Sequence, residues 1–216
     1  MHDGDILPAL FKPKDPEAHK ILGVKQVLDK KLRWVTLGGQ YDWTNKVYPK
    51  EPPPQFPPDI ASLINGIFPD MVPQAAILNL YSPGDTLSMH RDISEETDRG
   101  LVSISLGCDC IFIVGLENKS TGDIQYIVIR LRSGDVLYMT GESRLAWHGV
   151  PRVIPNTCPE FLTKWPDGEF PSLSGWIRNK RINLNVRQMR ESAESFSDTV
   201  PTSVQDDGLS QSSSHS

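Results

Sequence analysis

The chain has 216 residues, 38% hydrophobic and 23% charged, a globular composition that argues against wholesale disorder. Its net charge of -5 belongs to one end: residues 191–216 hold Glu191, Glu194, Asp198, Asp206 and Asp207 and no Lys or Arg, so charges over 1–190 cancel. A neutral body does not announce a nucleic-acid binder, and it does not exclude one, because a local basic patch is enough.

No apolar run approaches the roughly 18 residues of a membrane span, so no membrane partner is expected. Residues 1–8 lack the basic start and apolar core of a secretion signal, and three cysteines without framework spacing fit a reducing compartment. The expected location is intracellular, in nucleus or cytoplasm, with the mitochondrion open, and the expected state is a monomer.

Along the chain, residues 30–48 interleave Lys30, Lys31 and Arg33 with Trp34, Tyr41, Trp43 and Tyr48. Residues 48–58 contain six prolines and read as an extended surface loop. Asp59 is placed to cap a helix whose Ile60, Leu63, Ile64 and Ile67 follow helical spacing and read as core packing. From Ala75 the pattern changes to short apolar runs split by turns. Ala76–Tyr81, Leu87–His90, Val102–Leu106, Ile111–Val114, Ile124–Leu131, Val136–Met139 and Ile182–Val186 read as strands.

That spacing predicts a mainly β fold with flanking helices, a double-sheet jelly roll or a barrel. Residues 151–180, rich in Pro, Gly and aromatics, read as a long loop. The parts are thus an N-terminal segment over 1–58, a β core over 59–190, and a disordered Ser-rich acidic tail over 191–216. Cys108 and Cys110 share a strand face and read as small buried hydrophobes.

Two stretches about ninety residues apart read as halves of one site. His90 and Asp92, at i and i+2 on a strand, point to the same face. His148 lies between the two stretches, and the glycine after it lets backbone come close to a metal. Two histidines and a carboxylate leave iron positions open for a co-substrate and oxygen, the ligand set of a non-haem Fe(II) oxygenase. Arg181 and Arg187, six apart, share a strand face with each other and with Asn183, opposite Ile182, Leu184 and Val186. Two inward arginines need anionic partners, and the fork suits a chelating dicarboxylate. Asp92 would satisfy one arginine and a ligand the other.

With these residues in place, the chain resembles the AlkB-type Fe(II)/2-oxoglutarate dioxygenases over roughly residues 30–190. The carrying motifs are Asn79-Leu80-Tyr81, His90-x-Asp92, Ser133-Gly134-Asp135, the run from Gly141 to Gly149 that contains Ser143-Arg144 and Trp147-His148-Gly149, and Arg181-x-Asn183-x-x-x-Arg187. The segments Leu32–Thr36 and Val150–Val153 look most like the eukaryotic branch named first among the AlkB homologues. The resemblance implies a double-stranded β-helix fold, iron on His90, Asp92 and His148, and 2-oxoglutarate and O2 as co-substrates. It implies that Arg181 holds the distal carboxylate with help from the Tyr81 hydroxyl. Asn79, Asn183 and Arg187 would line the keto-acid end, with Arg187 also steadying Asp92.

The implied reaction is oxidative demethylation of N-methylated nucleic acid, with release of formaldehyde, succinate and CO2. Methyladenine in tRNA is the first expectation and methyladenine in DNA the second. In this family the segment before the core is a lid over a flipped base, which points to Tyr41 and Trp43 for stacking, with Trp34 either lid or core. Arg178 and Lys180 are candidate phosphate contacts. Phe161, Trp165, Phe170 and Trp176 are candidates for the mouth. Where some relatives carry an acid two residues after the metal carboxylate, this chain has Ser94, followed by Glu95 and Glu96. Two other readings keep the fold: a dioxygenase acting on protein, such as a methylated histone, and a non-catalytic binding module. The chain's start close to the lid also suggests that an N-terminal extension usual in the family is missing.

Overall fold

A computed structural model describes residues 10–118, 120–168 and 170–191. The segments on which the expectations of a disordered tail (from residue 192) and of an absent secretion signal (residues 1–8) rest lie outside the described residues. A two-stranded ribbon, β1 (Leu10–Phe11) and β2 (Leu22–Gly23), leads into α1 (Val24–Lys30). After it come β3 (Trp34–Gly38), α2 (Pro58–Ile67), β4 (Ala75–Tyr81), β5 (Leu87–His90), β6 (Leu101–Gly107) and β7 (Cys110–Glu117). The chain continues through β8 (Ile124–Leu131), β9 (Val136–Met139), β10 (Trp147–Val153) and β11 (Arg181–Arg187).

The strands build two antiparallel sheets, in the orders β3-β4-β11-β6-β9 and β5-β10-β7-β8, and together they form the double-stranded β-helix. The central strand of the larger sheet shows why the sequence folds this way. Every residue of β11 is paired on both sides, to β4 and to β6. Its alternation puts Ile182, Leu184 and Val186 on the outer face, where Ile182 packs with Leu80 and Ile177, and Val186 with Ile64 of α2 and Met71. The other face carries Arg181, Asn183, Asn185 and Arg187 into the space between the sheets. One strand therefore anchors the core and arms the site. A second apolar cluster, including Cys108, Cys110, Phe112, Leu131 and Val153, fills the rest of the layer, so both cysteines are buried hydrophobes.

The structure corrects several expectations. The helix starts at Pro58 with Pro57 as its cap residue; Asp59 lies in its first turn and makes no side-chain cap. Proline needs no N–H partner at that end, and an acid there still favours the positive helix terminus. Only part of the helical stripe is core: Ile64 is fully buried, whereas Leu63 and Ile67 are each 54% exposed, because the sheet meets a single narrow face of α2.

Strand β10 was absent from the sequence reading, its Pro151 and Gly149 masking a strand that runs into the expected loop. The 151–180 segment after it holds three short 3-10 turns, at Glu160–Leu162, Pro171–Leu173 and Trp176–Asn179. Finally, β5 ends at His90, so Asp92 stands in the following loop rather than on the strand. Among the described residues, no helix is long and apolar enough to cross a membrane.

Candidate active site

His90 and His148 are directly opposed in the β5–β10 register, with ring centroids 4.3 Å apart. Each ring places Nδ1 on a backbone carbonyl: Ser88 O at 2.9 Å for His90 and Ala146 O at 3.0 Å for His148. A carbonyl only accepts, so each Nδ1 carries the proton and each Nε2 keeps its lone pair for a metal. Asp92 closes the set, its Oδ1 3.6 Å from His90 Nε2, and the three ligand atoms all lie within 4.8 Å of one another. Burial pushes the His148 pKa below its ordinary value, which outweighs the nearby Asp92. Burial opposes ionisation of Asp92, but Arg187 and the two histidines more than offset it and hold the carboxyl below its usual range.

The glycine after His148 serves a different purpose from the one its position suggested. A Cβ on Gly149 would stand 2.9 Å from Leu87 O and 3.0 Å from Met89 Sδ. Gly149 therefore lets β5 approach β10 closely, which is what brings the two histidines together.

Around Asp92 lies an interlocked set of largely buried charges. Arg187 Nη2 donates to Asp92 Oδ2 at 2.6 Å, Asn185 Nδ2 donates to the same oxygen at 3.3 Å, and Arg187 Nη1 reaches Tyr48 Oη at 3.4 Å. The buried Glu95 pairs with both Arg187 and Arg144. Arg144, only 4% exposed, spends its remaining N–H groups on the backbone oxygens of Arg99 and Asp92, at 2.8 Å each. It ties the loop that carries Asp92 to the turn that precedes His148. Despite its own burial, Arg187 is held more firmly protonated by Asp92, Tyr48 and Glu95.

Arg181 is the opposite case. It is 1% exposed, its guanidinium lies 5.3 Å from the Tyr81 ring, and Nη2 donates to Ser105 Oγ at 3.0 Å. Nε and Nη1 have no partner, and among the described residues no carboxylate pairs with Arg181. A buried cation with two free donors costs several kcal/mol unless an anion completes it. Next to it on the same face, Asn183 opposes Asn79 on β4 and Ser105 on β6, and its amide donates to Ser103 Oγ at 2.7 Å.

These groups line one cavity of about 260 Å3 between the sheets. Asn79, Arg181, Asn183, Asn185 and Arg187 enter it from the larger sheet, His90 and His148 from the smaller, and Asp92 from the loop. Tyr81 sits beside Arg181 in the core and does not line it. At the cavity's rim stand Tyr41 and Trp43, ring against edge at 4.8 Å, with Tyr41 Oη 2.9 Å from Ser94 Oγ. Arg91 also lines the cavity, its guanidinium over the Trp147 ring at 4.8 Å.

Trp34 does not line the cavity, yet it is not core either: it is 43% exposed and packs on Trp43 at 5.3 Å. Arg178 and Lys180 are placed elsewhere. They line a separate cavity, and Lys180 Nζ donates to Asp29 O and Ser82 Oγ. Phe161, Trp165, Phe170 and Trp176 likewise stay out of the site cavity, so the 151–180 segment does not form this mouth.

Tyr48 stands among the aromatics read over residues 30–48, but its place beside Arg187 does not follow from that reading, and Ser103, Ser105, Asn185 and the role of Arg144 have no place in it. Three of these have a signal: Asn185 shares the period-2 face of Asn183, and Ser103 and Ser105 alternate with Val102 and Ile104 on one strand. The contacts of Tyr48 and Arg144 span 139 and 52 positions in the chain and left no local trace.

Comparison with known proteins agrees with this arrangement. Residues 8–187 match the model of the 2OG-Fe(II) oxygenase superfamily. A protein of Pyricularia oryzae named N6-methyladenosine RNA demethylase ALKB1 is 60% identical over 85% of this chain and 55% of its own length. The N6-methyladenosine RNA demethylase ALKBH of Cryphonectria parasitica is 55% identical over 84% of the chain and 86% of its own. The tRNA demethylase abh1 of Schizosaccharomyces pombe is 46% identical over 80% of the chain and 58% of its own. The chain thus spans little more than half the length of two of these three relatives. The solved structure of OsALKBH1 superposes with a TM-score of 0.58 at 26% identity, covering 72% of this chain and 77% of that one.

Proposed function

The chain belongs to the AlkB-type branch of the 2OG-Fe(II) oxygenase superfamily, and from that membership we propose that it is an oxidative demethylase of N-methylated nucleic acid. Methyladenine in RNA is the substrate the names of its relatives favour, with tRNA, the word in one of those names, our first candidate and methyladenine in DNA next. The observation that carries the reading is the convergence of His90, Asp92 and His148 beside a buried Arg181 with two unused donors.

The donor set fits Fe(II), and the orphaned guanidinium fits the distal carboxylate of 2-oxoglutarate. Bound together, iron and 2-oxoglutarate supply oxygen activation and hydroxylation of an N-methyl group, with formaldehyde, succinate and CO2 as products. The protein's own groups do the rest. Ser88 and Ala146 carbonyls fix both imidazole tautomers. Arg187 and Asn185 hold Asp92 ionised and aimed. Arg181, steadied by Ser105 and Tyr81, receives the carboxylate, while Asn79 and Asn183 line the adjoining wall. Tyr41 and Trp43 offer aromatic faces at the rim, where a base taken out of its stack is held by aromatic contact. Ser94, tied to Tyr41, leaves a hydroxyl where some relatives carry an acid.

The test is direct. Iron-loaded protein with 2-oxoglutarate is given RNA and DNA oligonucleotides carrying one methylated adenine, and formaldehyde is measured. Release from RNA above DNA is expected. Release from none, while methylated histone peptide yields formaldehyde, would transfer the activity to protein.

A further inference from the structure

Four of the body's cations collect at one place away from the iron site. Lys25, Lys164, Arg178 and Lys180 line a cavity of about 610 Å3, against a single carboxylate, Asp29. Lys25, Lys164 and Arg178 are exposed, and Lys180 is pinned toward the groove by Asp29 O and Ser82 Oγ. Beside it lies an apolar slot of about 240 Å3 walled by Trp165, Phe170 and Trp176; Trp176 and Leu173 belong to both cavities. Trp165 and Phe170 are 48% and 38% exposed, and the buried Trp176 indole N–H has no partner. In a body of zero net charge, a cation cluster against open aromatics is a concentrated feature.

We propose that this groove and slot form a second nucleic-acid subsite, holding the single-stranded segment that flanks the base in the iron site. The inference rests on the nucleic-acid reading above. Cations for phosphates and open aromatic faces for bases are the two parts that single-strand recognition needs. Continuity with the rim supports it. Trp34 packs on Trp43; next to it, Arg33 pairs with Asp85; Asp85 accepts from Ser82 N; and Ser82 Oγ accepts from Lys180 Nζ. An unbroken line of contacts joins the aromatic rim to the groove. A strand leaving the iron site along Arg33 reaches the four cations.

The test compares wild type with the triple variant Lys25→Ala, Lys164→Ala, Arg178→Ala, whose changed side chains are exposed and outside the iron site. Binding of a long unmethylated single-stranded RNA is followed by fluorescence polarisation across salt concentrations. The variant should bind about 10-fold more weakly, with the slope of log K against log salt shallower by about 2, three phosphate contacts having been lost. Phe170→Ala should weaken binding at unchanged slope. KM for a methylated trinucleotide, which carries little more than the base held in the iron site, should stay unchanged in both.

Equal binding by wild type and triple variant would overturn the subsite while leaving the demethylase reading intact. Failure of the wild type itself to bind or demethylate any oligonucleotide would overturn both. Competition by polyglutamate as effective as by RNA of equal charge would assign the groove to acidic polypeptides and overturn the proposal.

Discussion

Asp92 and His148 differ in what fixes their ionisation, and that difference can be measured. Asp92 owes its charge to Arg187. Removal of one member of a buried pair leaves the other uncompensated, at a cost of about 3–5 kcal/mol. Arg187→Ala should therefore destabilise the metal-free protein by about that amount in urea titration, whereas Asn185→Ala, which gives up one longer hydrogen bond to the same oxygen, should cost about 1 kcal/mol.

His148 is governed first by burial, which holds its pKa below 6.5. Because the unfolded chain binds that proton more readily, the neutral ring contributes stability above pH 6.5 that is lost as pH falls through the folded value. The metal-free wild type should lose melting temperature between pH 7 and pH 5, and His148→Gln should flatten that loss. A pH profile identical in both proteins would contradict this account of the ring.

At the scale of elements, β11 shows how far alternation carries, for a physical reason. A strand paired on both sides must alternate, so Arg181, Asn183 and Arg187 could be placed on one face without coordinates. Hydrophobic patterning recovered the edge strands β5, β8 and β9 to the residue, since each is a short apolar run between turn residues. It failed at β10, whose glycine is required by the close approach of β5 and whose proline is unusual for a strand. On α2 it found the helix but overstated the buried stripe, because spacing does not reveal the width of the surface that will cover it. The place of Asp92 in the site was found for a partly wrong reason: its carboxylate is delivered by a loop that Arg144, Glu95 and Arg187 fasten, and those contacts join parts of the chain far apart.

The two faces of β11 can be separated by mutation. Arg181→Ala should raise KM for 2-oxoglutarate roughly 30–100-fold, the worth of a charge-assisted pair of about 2–3 kcal/mol, with little loss of stability. Val186→Ala, on the covered face, should cost about 1–3 kcal/mol of stability and leave that KM unchanged.

Taken as a whole, the molecule separates a strand-borne polar site from a loop-borne aromatic rim. Two sheets hold His90, His148, Arg181, Asn183 and Arg187 on paired strands, where side chains are held by register and packing, a fastened loop brings Asp92, and the aromatic rim is carried by another loop. Composition could not reveal this, because a neutral total hides where charges gather. The division predicts that Trp43→Ala will raise KM for methylated oligonucleotide about 10-fold, from the loss of one stacking face, while succinate formed without substrate stays at the wild-type rate. A fall in that succinate rate alongside the rise in KM would show that Trp43 supports the fold of the site instead.

The most direct measurement is an anaerobic titration of Fe(II) with 2-oxoglutarate, followed by the visible charge-transfer band of the chelate, in wild type, Asp92→Ala and Arg181→Ala. A band at full intensity in wild type, absent in Asp92→Ala, and recovered in Arg181→Ala only at far higher 2-oxoglutarate would match the assigned roles. A folded wild type that gives no band, or an Asp92→Ala variant that gives the same band as wild type, would contradict them.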